Sequence, residues 1–253
     1  MLAGAGGARA ACYDPTRRVI SVIVPVRDEP PEVAERFRVF GSSPDSELIV
    51  ADHGSRVETS RAFDAVATRR LCDPGSRGAR LAKAAAEARG DVLFFLHADS
   101  RPPEGALDAI RSSLAAGARA GSFELAYENA GPLLRWIAWW ANRRSRWFAL
   151  PLGDQGIFCR REEYRRSGGF RDMALCDDLD FVRRLRRLTP ITIRREKTVT
   201  SARRFERAGV LRQMLRNWRV QLGYFAGVSP EVLVRWYEGP EAKTAPISAR
   251  RKG

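Results

Sequence analysis

The stretch "VLFFLHADSRPP", residues 92 to 103, sets Asp99 just beyond five consecutive apolar residues. Such a run suits a strand buried on both faces of a parallel sheet, and strands of that kind deliver their carboxyl ends to a ligand crevice. An acid there can face a ligand without the desolvation cost of the core. Asp99 therefore reads as a candidate ligand contact, or as an N-cap for a helix beginning near "PEGAL". Asp52 ends a second apolar run, "ELIVAD", and reads as a ligand contact or as a turn residue beside Gly54. Asp177 and Asp178 open "CDDLDFVRRLRRL", where adjacent acids complement a helix N-terminus and the closing arginines its C-terminus. Arg203 and Arg204 close "ITIRREKTVTSARRF" and offer guanidinium groups to an anion.

The elements that must position these side chains alternate through the first half. "VISVIVPV" (19 to 26) is a β-branched strand, and "PPEVAERFRVF" has prolines at a helix start with apolar residues at helical spacing. "ELIVAD" (47 to 52) is followed by a helix through "ETSRAFDAVATRR", and a short strand falls at "RRLCD". "GARLAKAAAEARG" (78 to 90) is an alanine-rich helix with a glycine stop. The strand at 92 to 96 then leads to a return helix, "PEGALDAIRSSLAAG" (103 to 117). Four βα units in this span imply a parallel sheet with right-handed crossovers.

The second half is less regular. "GSFELAYE" alternates like a strand, and "LLRWIAWWANRRSRW" is an amphipathic helix whose Trp136, Trp139, Trp140 and Trp147 read as core ahead of a ligand platform. "GDQGIFCRREEYRRSGGF" gives strand, helix and glycine stop, and "ITIRREKTVTSARRF" reads as a strand pair ending in a basic loop. A long basic helix covers 209 to 227, with Arg212, Arg216 and Arg219 opposing Leu211, Leu215, Trp218 and Leu222. Its basic face is either solvated or set against a membrane surface.

The 253 residues carry a formal charge of +14, which calls for an anionic partner: a phosphorylated substrate, nucleic acid or an acidic membrane. Cys12, Cys72, Cys159 and Cys176 form no C-x-x-C pair, so neither a zinc site nor a disulfide framework is expected, and free thiols suit a reducing cytoplasm. No apolar run is long enough to span a bilayer. Residues 1 to 18 lack signal-peptide features and read as a flexible extension, 19 to 237 as one domain, and 238 to 253 as a disordered basic tail.

The motifs "VPVRDE", "IVADHGS", "FLHADS", "GDQGIF", "SGGF", "CDDLDF" and "TSARRF", in this order, resemble those of the family 2 glycosyltransferases. The closer resemblance is to a bacterial subgroup associated with radical-SAM and selenium or arsenosugar gene contexts. It implies the GT-A fold, an α/β architecture with a mostly parallel sheet flanked by helices. It also implies an inverting, metal-dependent transfer of a hexosyl-type sugar from a UDP- or GDP-linked donor to an acceptor of unknown identity.

By that resemblance Pro25 and Glu29 line the nucleoside pocket, with Asp28 where the family has Asn, and Asp52 pairs with the base. Arg77 matches the family's donor-binding arginine, although Ala82 stands where Asn is common. His97-Ala98-Asp99 stands where many relatives carry Asp-x-Asp, so Ala98 and Asp99 face the donor and Asp99 binds Mg²⁺ or Mn²⁺. One carboxylate suffices, because diphosphate oxygens and water supply most of the ligands. His97 reads as steadying that loop. Gly153, Asp154, Gln155 and Asp177 fall on the acceptor side, Asp178 matches the catalytic base, and Arg203 and Arg204 close over the diphosphate.

A nicotinamide-dependent dehydrogenase is disfavoured, because the turn after the first strand, "VRDEPPE", has no G-x-G-x-x-G, and no P-loop motif occurs. The remaining alternative is an inactive relative of the transferases that binds nucleotide, RNA or anionic lipid. Retention of both Asp99 and Asp178 argues against it, since anion binding needs neither carboxylate. The expected setting is the cytoplasm, with the basic helix against an anionic inner membrane face and no nucleic acid partner.

Overall fold

A computed structural model describes residues 19–238. The expected extension at 1 to 18 and nearly all of the tail at 238 to 253 lie outside the described residues, as does Cys12. Eight strands form one sheet in the order β3-β2-β1-β4-β7-β6-β8-β5. They are β1 (Ile20–Val26), β2 (Ser46–Asp52), β3 (Arg69–Cys72), β4 (Val92–Phe95), β5 (Ser100–Arg101), β6 (Ala120–Tyr127), β7 (Ile157–Arg160) and β8 (Ile191–Thr200). Strands β3, β2, β1 and β4 are parallel, as their crossover helices require. β7 runs antiparallel to both β4 and β6, while β8 is parallel to β6.

The helices are α1 (Arg38–Ser42), α2 (Val57–Asp64), α3 (Arg77–Glu87), α4 (Ala106–Ala115), α5 (Pro132–Phe148), α6 (Arg161–Arg166), α7 (Asp177–Leu185), α8 (Arg203–Ala208), α9 (Val210–Phe225) and α10 (Pro230–Glu238). Two cores lie on opposite faces of the sheet. Successive residues of β1 alternate between them, Ile23 joining Leu81, Phe95 and Phe181 on one face and Val22 and Val24 joining Phe37, Phe94 and Phe123 on the other. This period-2 division explains the unbroken apolar composition of the strand.

Three expectations are corrected. "PPEVAERFRVF" forms a 3-10 segment, Pro31–Phe37, before the short α1, with Pro30 at its N-cap and Pro31 at its first position, where a missing N–H costs no helical hydrogen bond. "ITIRREKTVTSARRF" is one strand followed by α8, with Arg203 and Arg204 in the helix's first turn. Its alternation continues along β6 with a register shift between Ser122 and Glu124, which absorbs the irregularity that suggested two strands. The tryptophans of α5 are not core: Trp136, Trp139, Trp140 and Trp147 are between 40% and 59% exposed, while Leu134, Ala138 and Ser145 face inward.

Candidate active site

The first acid of the site is held where β4 ends. Leu96 N donates to Ile23 O at 3.0 Å, and the chain then turns into β5, which pairs with the end of β8. Ser201 N donates to Asp99 O at 3.1 Å, and the hydroxyls of Ser100 and Thr200 share a hydrogen bond of 3.0 Å. These bonds tie the Asp99 loop to the residues that precede Arg203. Ala98 is buried beneath it, and Asp99 is half-buried. The only donor to its carboxylate among the described residues is Ser100 Oγ, at a long 3.4 Å.

Glu29, from the β1 side, faces Asp99. Burial raises its carboxyl, the charge of Asp99 raises it further, and Arg203 and Arg204 oppose both. Arg203 Nη2 lies 3.5 Å from Glu29 Oε2, and Arg204 Nη1 donates to Tyr237 Oη at 3.1 Å. Pro25 lies past the last β1–β4 pair, Ile23 with Phe95, where that ladder has no use for its missing N–H. Asp52 is only 1% exposed and fully hydrogen-bonded. Its Oδ1 accepts from Gly54 N, Ser55 N and Ser55 Oγ, and its Oδ2 from Ser60 Oγ and Arg70 Nη1. Burial raises the Asp52 carboxyl, and these donors more than reverse that, holding it below the usual range.

A second group of acids starts α7. Cys176, just before it, has φ +60°, a left-handed conformation that costs a non-glycine residue free energy and redirects the chain into the helix. Asp177 is fully buried, and Arg77 Nε donates to both its oxygens at 3.0 and 2.9 Å, with Nη2 also bonded to Oδ1. Arg77 is carried there by α3, capped by Ser76 Oγ and tied to the sheet by Arg80, which donates to Val26 O and Ala51 O. Gly78 makes this approach possible, since a Cβ there would lie 2.0 Å from Arg171 O.

Asp178 points the other way and is 17% exposed. Its Oδ2 accepts from Gly153 N at 2.8 Å and its Oδ1 from Leu179 N at 2.8 Å, with Arg77 Nη2 3.6 Å away. Burial raises this carboxyl, but Arg77 and the two N–H groups outweigh that and hold it below the usual range, so Asp178 is an anion at neutral pH. His97 is pushed down by burial and by Arg77 and stays neutral, its Nε2 3.5 Å from Arg77 Nη1.

The turn Gly153–Gln155 forms the opposite wall. Gln155 is wholly buried: its Oε1 accepts from Ser145 Oγ and Leu152 N, and its Nε2 donates to Phe123 O. It holds the turn against α5 and β6 rather than facing the cleft. Asp154 is pushed up to about 6 by burial and by the charges of Asp178 and Asp99, with Arg144 pulling the other way. Arg144 and Tyr127 feel Asp154 in turn, which puts both on this side of the site.

Sequence reasoning missed Tyr127 and Arg144. Arg144 lies on the Ile137–Ala141 row of α5, a spacing that sets it apart from the outward Arg143 and Arg146. Tyr127 ends β6 and also borders a groove of about 790 Å³ lined by Asn142, Trp139, Arg143 and Trp147. The structure thus links Glu29, Asp99, Asp154, Asp178, Arg203 and Arg204 through their mutual charges and leaves Asp52, Asp177 and Gln155 buried.

Residues 21–149, just over half of the chain, match the family model for glycosyl transferase family 2. Among solved structures, the mannosyltransferase PcManGT from Pyrobaculum calidifontis, in complex with GDP-Man and Mn²⁺, is similar at a TM-score of 0.55 and 18% identity. The match covers 82% of this chain and 63% of that one, so this chain spans under two thirds of its length. Glucosyl-3-phosphoglycerate synthase from Mycobacterium tuberculosis, in complex with Mn²⁺, UDP and glucosyl-3-phosphoglycerate, gives a TM-score of 0.58 at 18% identity over 84% of this chain and 81% of that one. TarS of S. aureus gives 0.56 at 15% identity, over 72% of this chain and 36% of that one. At these identities the likeness shows the fold, which is GT-A. No curated protein gives a significant sequence match.

Proposed function

The chain belongs to glycosyl transferase family 2, and from that premise we propose that it moves a hexosyl-type sugar from a UDP- or GDP-linked donor to an acceptor hydroxyl with inversion at the anomeric carbon. The observation that carries this reading is the division of labour at α7. Asp177 takes the bidentate hydrogen bonds of Arg77, whereas Asp178 is a partly exposed anion whose nearest cation, the same guanidinium, stays 3.6 Å away. An ionised carboxylate at a cleft is what a general base requires.

Asp178 takes the proton of the acceptor hydroxyl as that oxygen bonds to the anomeric carbon. The bond from this carbon to the diphosphate breaks on the opposite face, its electron pair leaving with the nucleoside diphosphate. Arg203 and Arg204 receive that charge, Arg203 by exchanging Glu29 for phosphate oxygens. Gly153 N–H and Leu179 N–H hold both Asp178 oxygens in place.

The donor set fits a hard divalent cation that arrives with the diphosphate. Asp99 is a half-buried carboxylate with one long hydrogen bond, and no group of three ligating side chains occurs among the described residues. A protein of this kind can contribute one carboxylate while the substrate contributes most of the oxygens. Mg²⁺ or Mn²⁺ held by Asp99 would offset charge on the leaving group.

The subgroup associated with radical-SAM and selenium or arsenosugar contexts is supported by the His97-Ala98-Asp99 and Asp177-Asp178-Leu179-Asp180 motifs. The proposed setting is the cytoplasm, with an anionic membrane surface as a second partner of α9. The reading is tested by incubating the protein with a panel of nucleotide sugars and Mn²⁺ and measuring release of nucleoside diphosphate. Release from one donor class, lost in Asp178→Asn, supports it. No release from any donor, together with no nucleotide-induced thermal shift, overturns it.

A further inference from the structure

Two helices display apolar side chains for which the fold provides no cover. On α5, Leu133, Trp136, Trp139, Trp140, Trp147 and Phe148 are 40% exposed or more, and on α9 so are Leu211, Leu215, Trp218, Leu222 and Phe225. The helices adjoin: Arg144 Nη1 on α5 donates to Gln221 Oε1 on α9 at 3.2 Å, and Ile137 and Val210 pack on the same small cluster around Phe205. Residues three and four positions from a helix contact lie on the same side. Arg144 is therefore flanked by Trp140 and Trp147, and Gln221 by Trp218 and Phe225, so the two aromatic rows meet along one seam.

The charge on this face is of one sign. Neither helix contains an acidic residue, while together they carry seven arginines. Arg146 pairs with Glu124 of β6, but Arg143 lies over the rings of Trp139 and Trp147 at 5.0 and 5.6 Å, and Arg219 over Trp236 at 4.2 Å. Such a face repels a second copy of itself, because a two-fold interface would set arginine against arginine. A nucleic acid would satisfy the arginines but leave four exposed leucines in water. Tryptophan and leucine interleaved with arginine suit the boundary between acyl chains and anionic headgroups.

We propose that α5 and α9 together form one docking face for an anionic lipid bilayer, on which the protein lies without spanning it. No helix among the described residues is long and apolar enough to cross a membrane. This rests on the membrane contact named for α9 and extends it to the helix whose tryptophans the sequence pattern assigned to the core. It is independent of the transferase chemistry. Arg144 belongs to the seam and also to the acceptor side of the site, so the docked face lies beside the acceptor entrance.

The test uses flotation of the whole chain with vesicles of phosphatidylcholine alone or of equal parts phosphatidylcholine and phosphatidylglycerol, at low and high salt. Wild type is expected to float with the mixed vesicles at low salt only. Each arginine at an anionic surface contributes roughly five-fold in partitioning, so the pair Arg135→Glu and Arg143→Glu on α5 should weaken binding by about 25-fold or more. The pair Arg212→Glu and Arg216→Glu on α9 should do the same, with unchanged melting temperature and nucleotide-induced thermal shift in both. Loss with the α9 pair and none with the α5 pair overturns the two-helix face and leaves the α9 contact. No flotation of wild type overturns both, as does a dimer that dissociates on Leu215→Asp, or retention by RNA in place of vesicles. A protein that floats as expected but shows no nucleotide-induced shift sinks the transferase reading alone.

Discussion

Arg77 separates the two acids at the start of α7, clasping Asp177 and leaving Asp178 to the cleft. Asp178→Asn is expected to bind nucleotide and fold normally while losing about 10² to 10⁴ in transfer rate. Asp177→Asn takes the buried, bidentate carboxylate from the part-buried Arg77, and should destabilise the fold by about 3 kcal/mol in denaturant titrations while its folded fraction retains activity. Asp154 gives a pH signature. Burial beside Asp178 and Asp99 lifts it to about 6, so the folded chain holds this proton more tightly than the unfolded chain. Stability contributed by that proton is present below the ordinary carboxylate range and is lost as pH rises towards 6. Without metal or donor, Asp154→Asn should therefore melt higher than wild type at neutral pH, with the gap closing as the pH falls below 5. Asp99 and Asp178 were legible as strand-end and helix-start acids. The partition between Asp177 and Asp178 was not, because it depends on an arginine 100 residues away.

Gly153 shows how an element fixes the geometry of a single atom. Its N–H bonds to Asp178, and a Cβ there would lie 2.4 Å from His97 Nε2 and 3.0 Å from Asp178 Oδ2. Gly153→Ala is expected to shift the Asp178 carboxylate and lower turnover by about 10²-fold, out of proportion to any change in melting temperature. Turnover and melting curves on the same preparation check this. The first turn of α8 is the second such element, since Arg203 rests on Glu29 in the absence of donor. Arg203→Ala should weaken nucleoside diphosphate binding by about 1.5 to 3 kcal/mol in calorimetry. The βα units of the first half were readable because β1, β2 and β4 are buried and predominantly apolar and α3 and α4 are followed closely by Gly90 and Gly117. The helix α5 was misread because helical periodicity reports two faces without saying which is inside. Ser145 and Asn142 take the inner face by hydrogen bonding to Gln155 and to Leu125, and the tryptophans are left outside.

At the scale of the whole molecule, the parallel strands around β1 bring their ends to one edge of the sheet, and the antiparallel β7 with the parallel pair β6 and β8 adds the wall that carries Asp154 and the route to Arg203. The first part was legible as alternating strands and helices. The second was not, since pairing between β6 and β8 joins segments with one strand and three helices between their nearest ends. The formal charge of +14 would suit the proposed anionic donor and the proposed anionic surface alike. The central claim, a diphosphate held through Asp99 and a divalent cation, is tested most directly by calorimetric titration of UDP and GDP into wild type and Asp99→Asn, each with and without Mn²⁺. Wild type should bind one of the two nucleotides more tightly with Mn²⁺, and Asp99→Asn, with an unchanged melting temperature, should lose that gain. Equal affinity of the two proteins in the presence of Mn²⁺, or no binding of either nucleotide by wild type, would contradict the account.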